Sequence, residues 1–224
     1  MNRVQIVEIK EDIRSRNNEQ AKEIRADLKR KKIFFLNVMS SPGSGKTTLL
    51  INLINRLKKD YAVGVIEADI DSAVDAETIA SETGVKTIQM HTGGACHITC
   101  QMSDEALRAL GTEGLDVVIL ENIGNLVCPA EFDTGATKNL VLLSVPEGDD
   151  KPLKYPLMFE VASAVAITKT DVLPAFDFSF EKAETNVHMR HPGIPVFFTS
   201  GLENEGIDEI ERYLRGEIER VKHE

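Results

Sequence analysis

A short loop rich in glycine and serine joins an apolar segment to an amphipathic one near the start of the chain. Residues 40–48 read SSPGSGKTT, the preceding residues 33–39 read IFFLNVM, and the following residues 49–57 read LLINLINRL. The apolar run predicts a buried strand and the amphipathic run predicts a helix. A glycine loop between strand and helix lets backbone N–H groups converge on an anion at the helix N-terminus. The loop therefore predicts a phosphate-binding turn in an α/β fold.

The loop matches the P-loop pattern G-x-x-x-x-G-K-S/T except at its first position, where Ser40 replaces glycine. Lys46 is expected to reach the β and γ phosphates and to act in catalysis, and the Thr47 hydroxyl to coordinate Mg²⁺. Because Ser40 lacks the φ freedom of glycine, the turn has to be made without it. The remaining predicted phosphate contacts are Gly43, Ser44, Gly45 and Thr48.

The rest of the chain alternates short apolar runs with helix-length segments. The apolar runs carry apolar side chains at successive positions, which is typical of parallel strands covered on both faces. Strands are predicted at 33–39, 63–67, 87–90, 117–121, 140–145, 165–168 and 196–199, and helices at 47–58, 73–83, about 97–110, 180–188 and 207–221. This order predicts a P-loop NTPase fold with a mostly parallel central sheet of about seven strands flanked by helices, and ligands at the carboxyl ends of the strands.

The amino-terminal part of the chain is charged and has few apolar positions. Residues 1–32 are predicted to form a surface helix leading into the core, and residues 33–224 a P-loop GTPase domain, with a single domain overall. A chain of 224 residues with 42% hydrophobic residues is large enough to bury a substantial core as one domain. The sequence therefore predicts no second domain.

Charge and cysteine content restrict the partners and the compartment. A net charge of −10 argues against nucleic acid or an anionic membrane as the main partner. The sequence contains no apolar run long enough for a membrane span and no signal peptide pattern. Three cysteines cannot all pair within one chain, and a reducing cytoplasm keeps them as thiols. A cytoplasmic location is predicted.

Two later segments indicate which base is bound. ITKTD at 167–171 resembles the N-K-x-D element of GTPases, with Thr168 in place of asparagine. The Asp171 carboxylate would accept from the N1–H and amino group of guanine, a donor pair that adenine lacks, and the Lys169 stem would cover the base. TSG at 199–201 resembles the loop that closes over the base, which adds Ser200. Guanine is favoured over adenine, and a surface turn at Asp171 is the alternative.

Acidic residues follow two of the predicted strands. Asp69 and Glu121 lie at such strand ends and are predicted to hold Mg²⁺ together with Thr47, because Mg²⁺ prefers carboxylate and hydroxyl oxygens. Asp71 and Asp75 are either residues that orient water for catalysis or solvated loop carboxylates.

The segment ENIG at 121–124 occupies the position where many GTPases carry D-x-x-G. Its glycine, Gly124, is predicted to donate its N–H to the γ phosphate and to respond to nucleotide hydrolysis.

A second group of residues has metal-ligand character. In GACHITC at 94–100, Cys96, His97 and Cys100 would project on one side of a helix if one begins there, and Cys128 follows Gly124 by four positions. Thiolates and imidazole suit Ni²⁺ in square-planar or Zn²⁺ in tetrahedral geometry. The alternative is that the cysteines are small buried hydrophobic residues.

Five segments in the same order carry a specific resemblance. SSPGSGKTTL, EADI, GACH, ENIGNLVCPAEFD and VPEGDDKPLKYP resemble the HypB family, the nickel-incorporation GTPases of nickel–iron hydrogenase maturation, which belong to the SIMIBI class. The resemblance covers nearly all of the chain after about residue 33. It implies a GTPase, expected to be slow, that forms a homodimer through nucleotide with a metal site at or near the dimer interface.

The resemblance also assigns roles to residues. The family's metal ligands fall on Cys96, His97 and Cys128, whereas Cys100 has no clear counterpart and is only a possible ligand. Lys151 or Lys154 is implied to reach a nucleotide on the partner chain. The implied cofactors are GTP, Mg²⁺ and Ni²⁺ or Zn²⁺. The implied partners are a second nickel metallochaperone and the hydrogenase large-subunit precursor.

The function expected from the sequence is GTP-dependent nickel delivery, with nucleotide state controlling dimerisation and metal affinity. Two alternatives remain open. One is a urease-type nickel chaperone GTPase, which resembles this chain in the P-loop and in EADI. The other is a regulatory module that uses GTP as a conformational signal without delivering metal.

Overall fold

The central element of the structure, a computed structural model, is a seven-stranded sheet in which every strand pair is parallel. The structure describes residues 9–224, with side chains from residue 14 onward. The strand order is β3-β2-β4-β1-β5-β6-β7. The strands are β1 Phe34–Met39, β2 Val63–Asp69, β3 Lys86–His91, β4 Val117–Glu121, β5 Lys138–Ser144, β6 Ala164–Thr168 and β7 Val196–Phe198. The predicted fold class is confirmed.

Helices cover both faces of this sheet. They are α1 Ile9–Arg30, α2 Lys46–Leu57, α3 Val74–Thr83, α4 Cys100–Leu110, α5 Cys128–Glu131, α6 Lys151–Lys154, α7 Pro156–Glu160, α8 Phe180–Arg190 and α9 Ile207–His223. Alternate residues of β1 point to opposite faces, as the strand repeat requires. Phe34 packs with α2 and α9, whereas Phe35 packs with α1 and α4.

Helix α1 is more than a surface helix within its described part. Its exposed face is charged, but Ala21 and Leu28 are buried, and Leu28 lies in the same apolar cluster as Phe35 and Ile98. The helix ends at Arg30 rather than at residue 32, because Lys32 adopts a left-handed conformation with φ 58°. Residues 1–8 of the predicted helix lie outside the described part of the chain.

Most predicted boundaries shift by one or two residues, and two of the shifts have a clear local reason. Helix α4 begins at Cys100 rather than near residue 97, because the Thr99 hydroxyl accepts from the Met102 N–H and caps the helix there. Cys96 and His97 therefore precede the helix, and the predicted projection of both from one helix face is wrong. Strand β5 ends at Ser144 because Val145 begins a 3₁₀ turn.

Three short helices, α5, α6 and α7, were not predicted. They are four or five residues long and each has proline in its first turn. Such segments are too short to show a helical repeat in the sequence. Among the helices that the structure describes, none is both long and apolar enough to cross a bilayer.

Candidate nucleotide and metal sites

The phosphate-binding loop lies between β1 and α2, as predicted. Gly43 and Gly45 have φ angles of 71° and 90°, a region that favours glycine. The Gly45 Cα faces the Lys169 side chain, so a Cβ there would lie 3.7 Å from Lys169 Cε. Helix α2 begins at Lys46, which puts its free N–H groups and positive dipole end at the loop. This geometry suits a bound phosphate group.

Ser40 fits the turn without a glycine. It is fully buried and does not have a positive φ. The Ser44 hydroxyl donates to Ser40 Oγ at 2.6 Å, and the Ser40 hydroxyl donates to the Ser41 carbonyl at 2.8 Å. Ser40 therefore stabilises the loop through these two hydrogen bonds.

A cavity of about 580 Å³ opens beside this loop at the carboxyl ends of the strands. That edge of a parallel sheet is where ligands of such folds bind. The predicted site residues that line it are Gly43, Ser44, Gly45, Lys46, Thr47, Thr48, Asp69, Asp75, Glu121, Gly124 and Lys169. The residues predicted for nucleotide binding or catalysis that lie outside its lining are Asp71, Lys151, Lys154, Asp171 and Ser200.

Thr47 and Glu121 meet at the base of this cavity. The Thr47 hydroxyl donates to Glu121 Oε1 at 3.0 Å, and the other oxygen of the buried Glu121 carboxyl has no hydrogen-bond partner. Burial raises the pKa of Glu121 to about 7, against the opposing effect of Lys46 and Thr47. An unpartnered buried carboxylate oxygen beside a threonine hydroxyl fits Mg²⁺, which takes hard oxygen ligands.

Glu67 is a second buried carboxyl that sequence reasoning missed. It pairs in register with Glu121 on the adjacent strand, lines the same cavity and is 3% exposed. Burial raises the pKa of Glu67 to about 8, and one of its carboxyl oxygens has no hydrogen-bond partner. The available sequence signal was an acidic residue within the otherwise apolar run VGVIEA of β2. The carboxyl groups of Glu67 and Glu121 therefore lie on adjacent strands and both line the cavity.

The raised pKa of Glu67 makes the stability of the nucleotide-free protein depend on pH. Between about pH 5 and 8 the native state keeps a proton that the unfolded chain releases, so rising pH costs native stability. Glu67→Gln removes the titrating carboxyl group. We expect the variant to gain about 3.5 kcal/mol in unfolding free energy over wild type on going from pH 5 to pH 8. Denaturant unfolding at several pH values, with the exposed Glu113→Gln as control, measures it, and a pH-independent difference would contradict it.

The three aspartates at and beyond the end of β2 have different positions. Asp69 Oδ1 accepts from the N–H groups of Asp71 and Ser72 at 3.0 and 2.8 Å, and these bonds hold the pKa of Asp69 below its usual range. Asp69 therefore shapes the loop while lining the cavity. Asp75 also lines it from the first turn of α3, whereas Asp71 is exposed and lies outside the lining.

Gly124 packs directly against the phosphate-binding loop. A Cβ at Gly124 would lie 3.0 Å from both the Cα and the N of Pro42, closer than ordinary contact. The preceding Asn122 is fixed by the sheet, since its amide donates to Asn37 Oδ1 at 3.0 Å, and its own oxygen accepts from the Ile123 N–H. The segment after β4 is thus fitted closely to the loop.

The last residue of β6, Thr168, is where the chain departs from N-K-x-D. The Thr168 hydroxyl donates to the Ser44 carbonyl at 2.7 Å, so it anchors the phosphate-binding loop. Lys169 has a left-handed φ of 59°, an uncommon conformation that turns its side chain to the cavity wall. Asp171 Oδ1 accepts from the Ser200 hydroxyl at 2.6 Å. That bond orients the carboxylate and joins the two predicted base-reading loops.

The two lysines of α6 have partners within the chain. Lys154 forms an ion pair with Asp150, and the Lys151 ammonium lies 5.3 Å from the centre of the Tyr155 ring. The segment before them contacts the phosphate-binding loop, because the Ser41 hydroxyl donates to Glu147.

Cys96 and Cys128 approach each other from different loops. Contact with Cys96 is the main cause that raises the pKa of the Cys128 thiol. His97 Nδ1 lies 3.9 Å from Cys96 Sγ, and its ring stacks on Phe132 with the ring centres 4.0 Å apart. Burial lowers the pKa of His97, which favours the neutral, ligating imidazole. The three predicted ligands therefore lie in one region.

Cys100 lies elsewhere. It is fully buried, it lines a groove between α1 and α4, and burial raises the pKa of its thiol to about 12. Such a thiol resists the deprotonation that metal binding requires. Among the side chains of residues 14–224, no three His, Cys, Asp or Glu residues are grouped closely enough to hold a metal ion.

Comparison with known proteins gives consistent matches. The model of the CobW/HypB/UreG nucleotide-binding domain family matches residues 34–198. A hydrogenase/urease maturation factor HypB of Helicobacter hepaticus is 41% identical over 212 residues, covering 93% of this chain and 86% of the relative. A hydrogenase maturation factor HypB of Escherichia coli is 41% identical over 214 residues, covering 96% and 73%.

A solved structure matches as well. The crystal structure of HypB from Helicobacter pylori in complex with nickel superposes with a TM-score of 0.85 at 39% sequence identity. The match covers 92% of this chain and 96% of that one.

Proposed function

This chain belongs to the HypB group of the CobW/HypB/UreG family of nucleotide-binding proteins, and we propose that it is a GTP-hydrolysing metallochaperone for nickel. Its proposed role is delivery of nickel during nickel–iron hydrogenase maturation. The observation that carries the proposal is the segment from Glu121 to Cys128. Within eight residues it contacts Thr47 through Glu121, the phosphate-binding loop through Gly124 and Cys96 through Cys128.

This segment offers a direct route between nucleotide and metal. A ligand can shift an equilibrium only by binding two states with different affinity. A γ phosphate beside Gly124 would favour one position of the segment from Glu121 to Cys128. Because Cys128 follows Gly124 by only four residues, a movement of Gly124 would also move Cys128. By linkage, nucleotide state then alters metal affinity, and bound metal alters nucleotide affinity by the same factor.

GTP with Mg²⁺ is the nucleotide that we propose for the cavity. Lys46 and the N–H groups of the loop hold the phosphates, and Thr47, Glu121 and Asp69 are the proposed Mg²⁺ partners. Mg²⁺ when bound would neutralise phosphate charge. Asp171, oriented by Ser200, is the proposed reader of guanine. Hydrolysis is proposed to be slow.

We propose that the metal site is completed by a second copy of the chain. Cys96, His97 and Cys128 of one chain form an incomplete set, and thiolate and imidazole ligands suit Ni²⁺ or Zn²⁺. Val127, next to Cys128, is 51% exposed, and Val74, near the nucleotide cavity, is 65% exposed. Apolar side chains at these positions favour a partner surface.

Three further assignments accompany this function. Lys151 or Lys154 is proposed to reach the partner's nucleotide. The proposed partners are a second nickel metallochaperone and the hydrogenase large-subunit precursor. We place the protein in the cytoplasm, because thiols that bind metal must stay reduced and all three cysteines are free.

Delivery to urease is a second candidate, favoured by one observation. The Helicobacter hepaticus relative is named a hydrogenase/urease maturation factor, whereas the Escherichia coli relative is named for hydrogenase alone. The same site could serve either client, since the chemistry of the cargo is the same.

Transfer from nickel-loaded protein to a nickel-free client tests the proposal. Nickel-free hydrogenase large-subunit precursor and nickel-free urease are each mixed with loaded protein and GTP or ATP, and client-bound nickel is measured. We expect transfer to the hydrogenase precursor with GTP and little with ATP. Transfer only to urease supports the second candidate. No transfer to either client, with binding of GTP intact, would support a regulatory module and contradict metal delivery.

A further inference from the structure

One side chain of α1 joins the two segments that carry the cysteines. Asn17 is 6% exposed, and its Oδ1 accepts from the backbone N–H of Cys100 at 2.8 Å. Its Nδ2 donates to the backbone carbonyl of Asp133, also at 2.8 Å. Cys100 follows Cys96 by four residues, and Asp133 follows Cys128 by five.

An amide side chain suits these two bonds. One partner is an N–H donor and the other a carbonyl acceptor, so the bridging group must accept on one side and donate on the other. An ionised aspartate can only accept, and an apolar residue of similar size does neither. Removing Asn17 would leave two backbone groups without these partners in a buried place, which costs more than the bond itself contributes.

Other contacts of α1 fix the same region from the Cys128 side. Arg25 donates to both carboxylate oxygens of Asp133 at 2.7 and 2.9 Å and to the Ala136 carbonyl at 2.9 Å. The helix and this loop approach so closely that a Cβ at Gly135 would lie 2.9 Å from Ile24 Cβ. The loop is therefore held firmly against α1.

From these contacts we infer that Asn17 is a positioning residue that sets the separation of Cys96 and Cys128 for nickel binding. The inference rests on the proposed nickel site. Asn17 links Cys100, at the start of α4, to Asp133, which follows α5. The stack of His97 on Phe132 links the same two segments closer to the thiols. Groups that orient metal ligands without touching the metal commonly change metal affinity by 10- to 100-fold, on the order of the effect expected here.

The position of Asn17 predicts a selective effect. It is not among the residues that line the nucleotide cavity, and α1 packs with α4 on the sheet face opposite α2. A change at Asn17 is thus expected to alter nickel binding and to leave nucleotide binding unchanged. A residue needed only for folding would affect both.

Nickel titration of the full chain in its GDP form, against a competing chelator, tests the inference. The variants are Asn17→Ala, which loses both bonds, and Asn17→Asp, which keeps an acceptor for Cys100 but loses the donor. Asn18→Ala is the matched control, because Asn18 is the exposed neighbour of the same residue type. We expect nickel affinity to fall about tenfold or more in Asn17→Ala and less in Asn17→Asp. Affinity for GDP should stay within about twofold of wild type, since no contact to the nucleotide cavity is removed.

Two results would overturn the inference. One is nickel affinity in Asn17→Ala equal to that of Asn18→Ala, and the other is an equal fall in nickel and GDP affinity. Should Asn17→Ala not fold, Arg25→Gln provides the same comparison through the Asp133 contacts. A Cys96→Ser, Cys128→Ser protein in the same titration separates the two claims. If it binds nickel like wild type, the proposed site itself fails, whereas loss there with normal binding in Asn17→Ala rejects only the inference.

Discussion

Replacing Asp171 with asparagine is expected to weaken GTP binding by about a hundredfold or more, because the site then donates where guanine also donates. The Asp171 carboxylate is held by the Ser200 hydroxyl at 2.6 Å, and its remaining lone pairs can accept from the N1–H and amino group of guanine. Asparagine has nearly the same shape but presents an NH₂ group on one side. The loss therefore measures base recognition rather than packing.

Xanthosine triphosphate provides the matched rescue, since xanthine carries a carbonyl where guanine carries its amino group. We expect Asp171→Asn to bind this nucleotide better than GTP, and the wild type to show the opposite order. Asp177→Asn, an exposed aspartate on the same connection, is the control and should retain GTP. Equal GTP affinity in Asp171→Asn, or a wild-type preference for ATP, would contradict the assignment of guanine.

Replacing Cys96 and Cys128 with serine is expected to lower nickel affinity by on the order of 100-fold or more, since even residues that only orient ligands change affinity by 10- to 100-fold. Serine keeps the size of cysteine but replaces a soft thiolate by a hydroxyl that remains protonated. Interaction with Cys96 raises the pKa of the Cys128 thiol, and His97 Nδ1 lies 3.9 Å from Cys96 Sγ. Nickel titration and the loss of thiolate-to-nickel charge-transfer absorption measure the effect.

Cys100→Ala is the control for this pair. The Cys100 thiol is buried in the groove between α1 and α4, and burial raises its pKa to about 12, which disfavours the thiolate that binds metal. We expect nickel binding within about twofold of wild type, because no ligand is removed. A loss in Cys100→Ala as large as that in the serine variants would show that Cys100 ligates and that the ligand set is wrong.

The position of the candidate phosphate-binding loop could be predicted from the sequence, because the residues of the loop are neighbours in the chain. The phosphate-binding loop connects consecutive elements β1 and α2, so Lys46 and Thr47 could be located from their neighbours in sequence. Glu121 ends an apolar strand, and parallel strands end at one edge, which brings it to Thr47. The role of Thr168 could not be predicted, because its bond to the Ser44 carbonyl is a contact between distant segments.

The parts that sequence did not predict depend on contacts between distant segments. Glu67 faces the cavity through its register with Glu121, which only the strand order reveals. Cys100 was grouped with Cys96 on helical spacing, but the cap at Thr99 starts the helix later. Asn17 lies more than eighty residues before each of its two partners, Cys100 and Asp133, so no local pattern in the sequence indicates this bridge.

Coupling between nucleotide and metal is the central claim, and nickel titration in two nucleotide states measures it most directly. The full chain is loaded with GDP or with a non-hydrolysable GTP analogue, and nickel affinity is measured in each form with Mg²⁺ present. We predict affinities that differ by about fivefold or more, with nickel changing the affinity ratio of the two nucleotides by the same factor. Equal nickel affinities in the two forms would contradict the account.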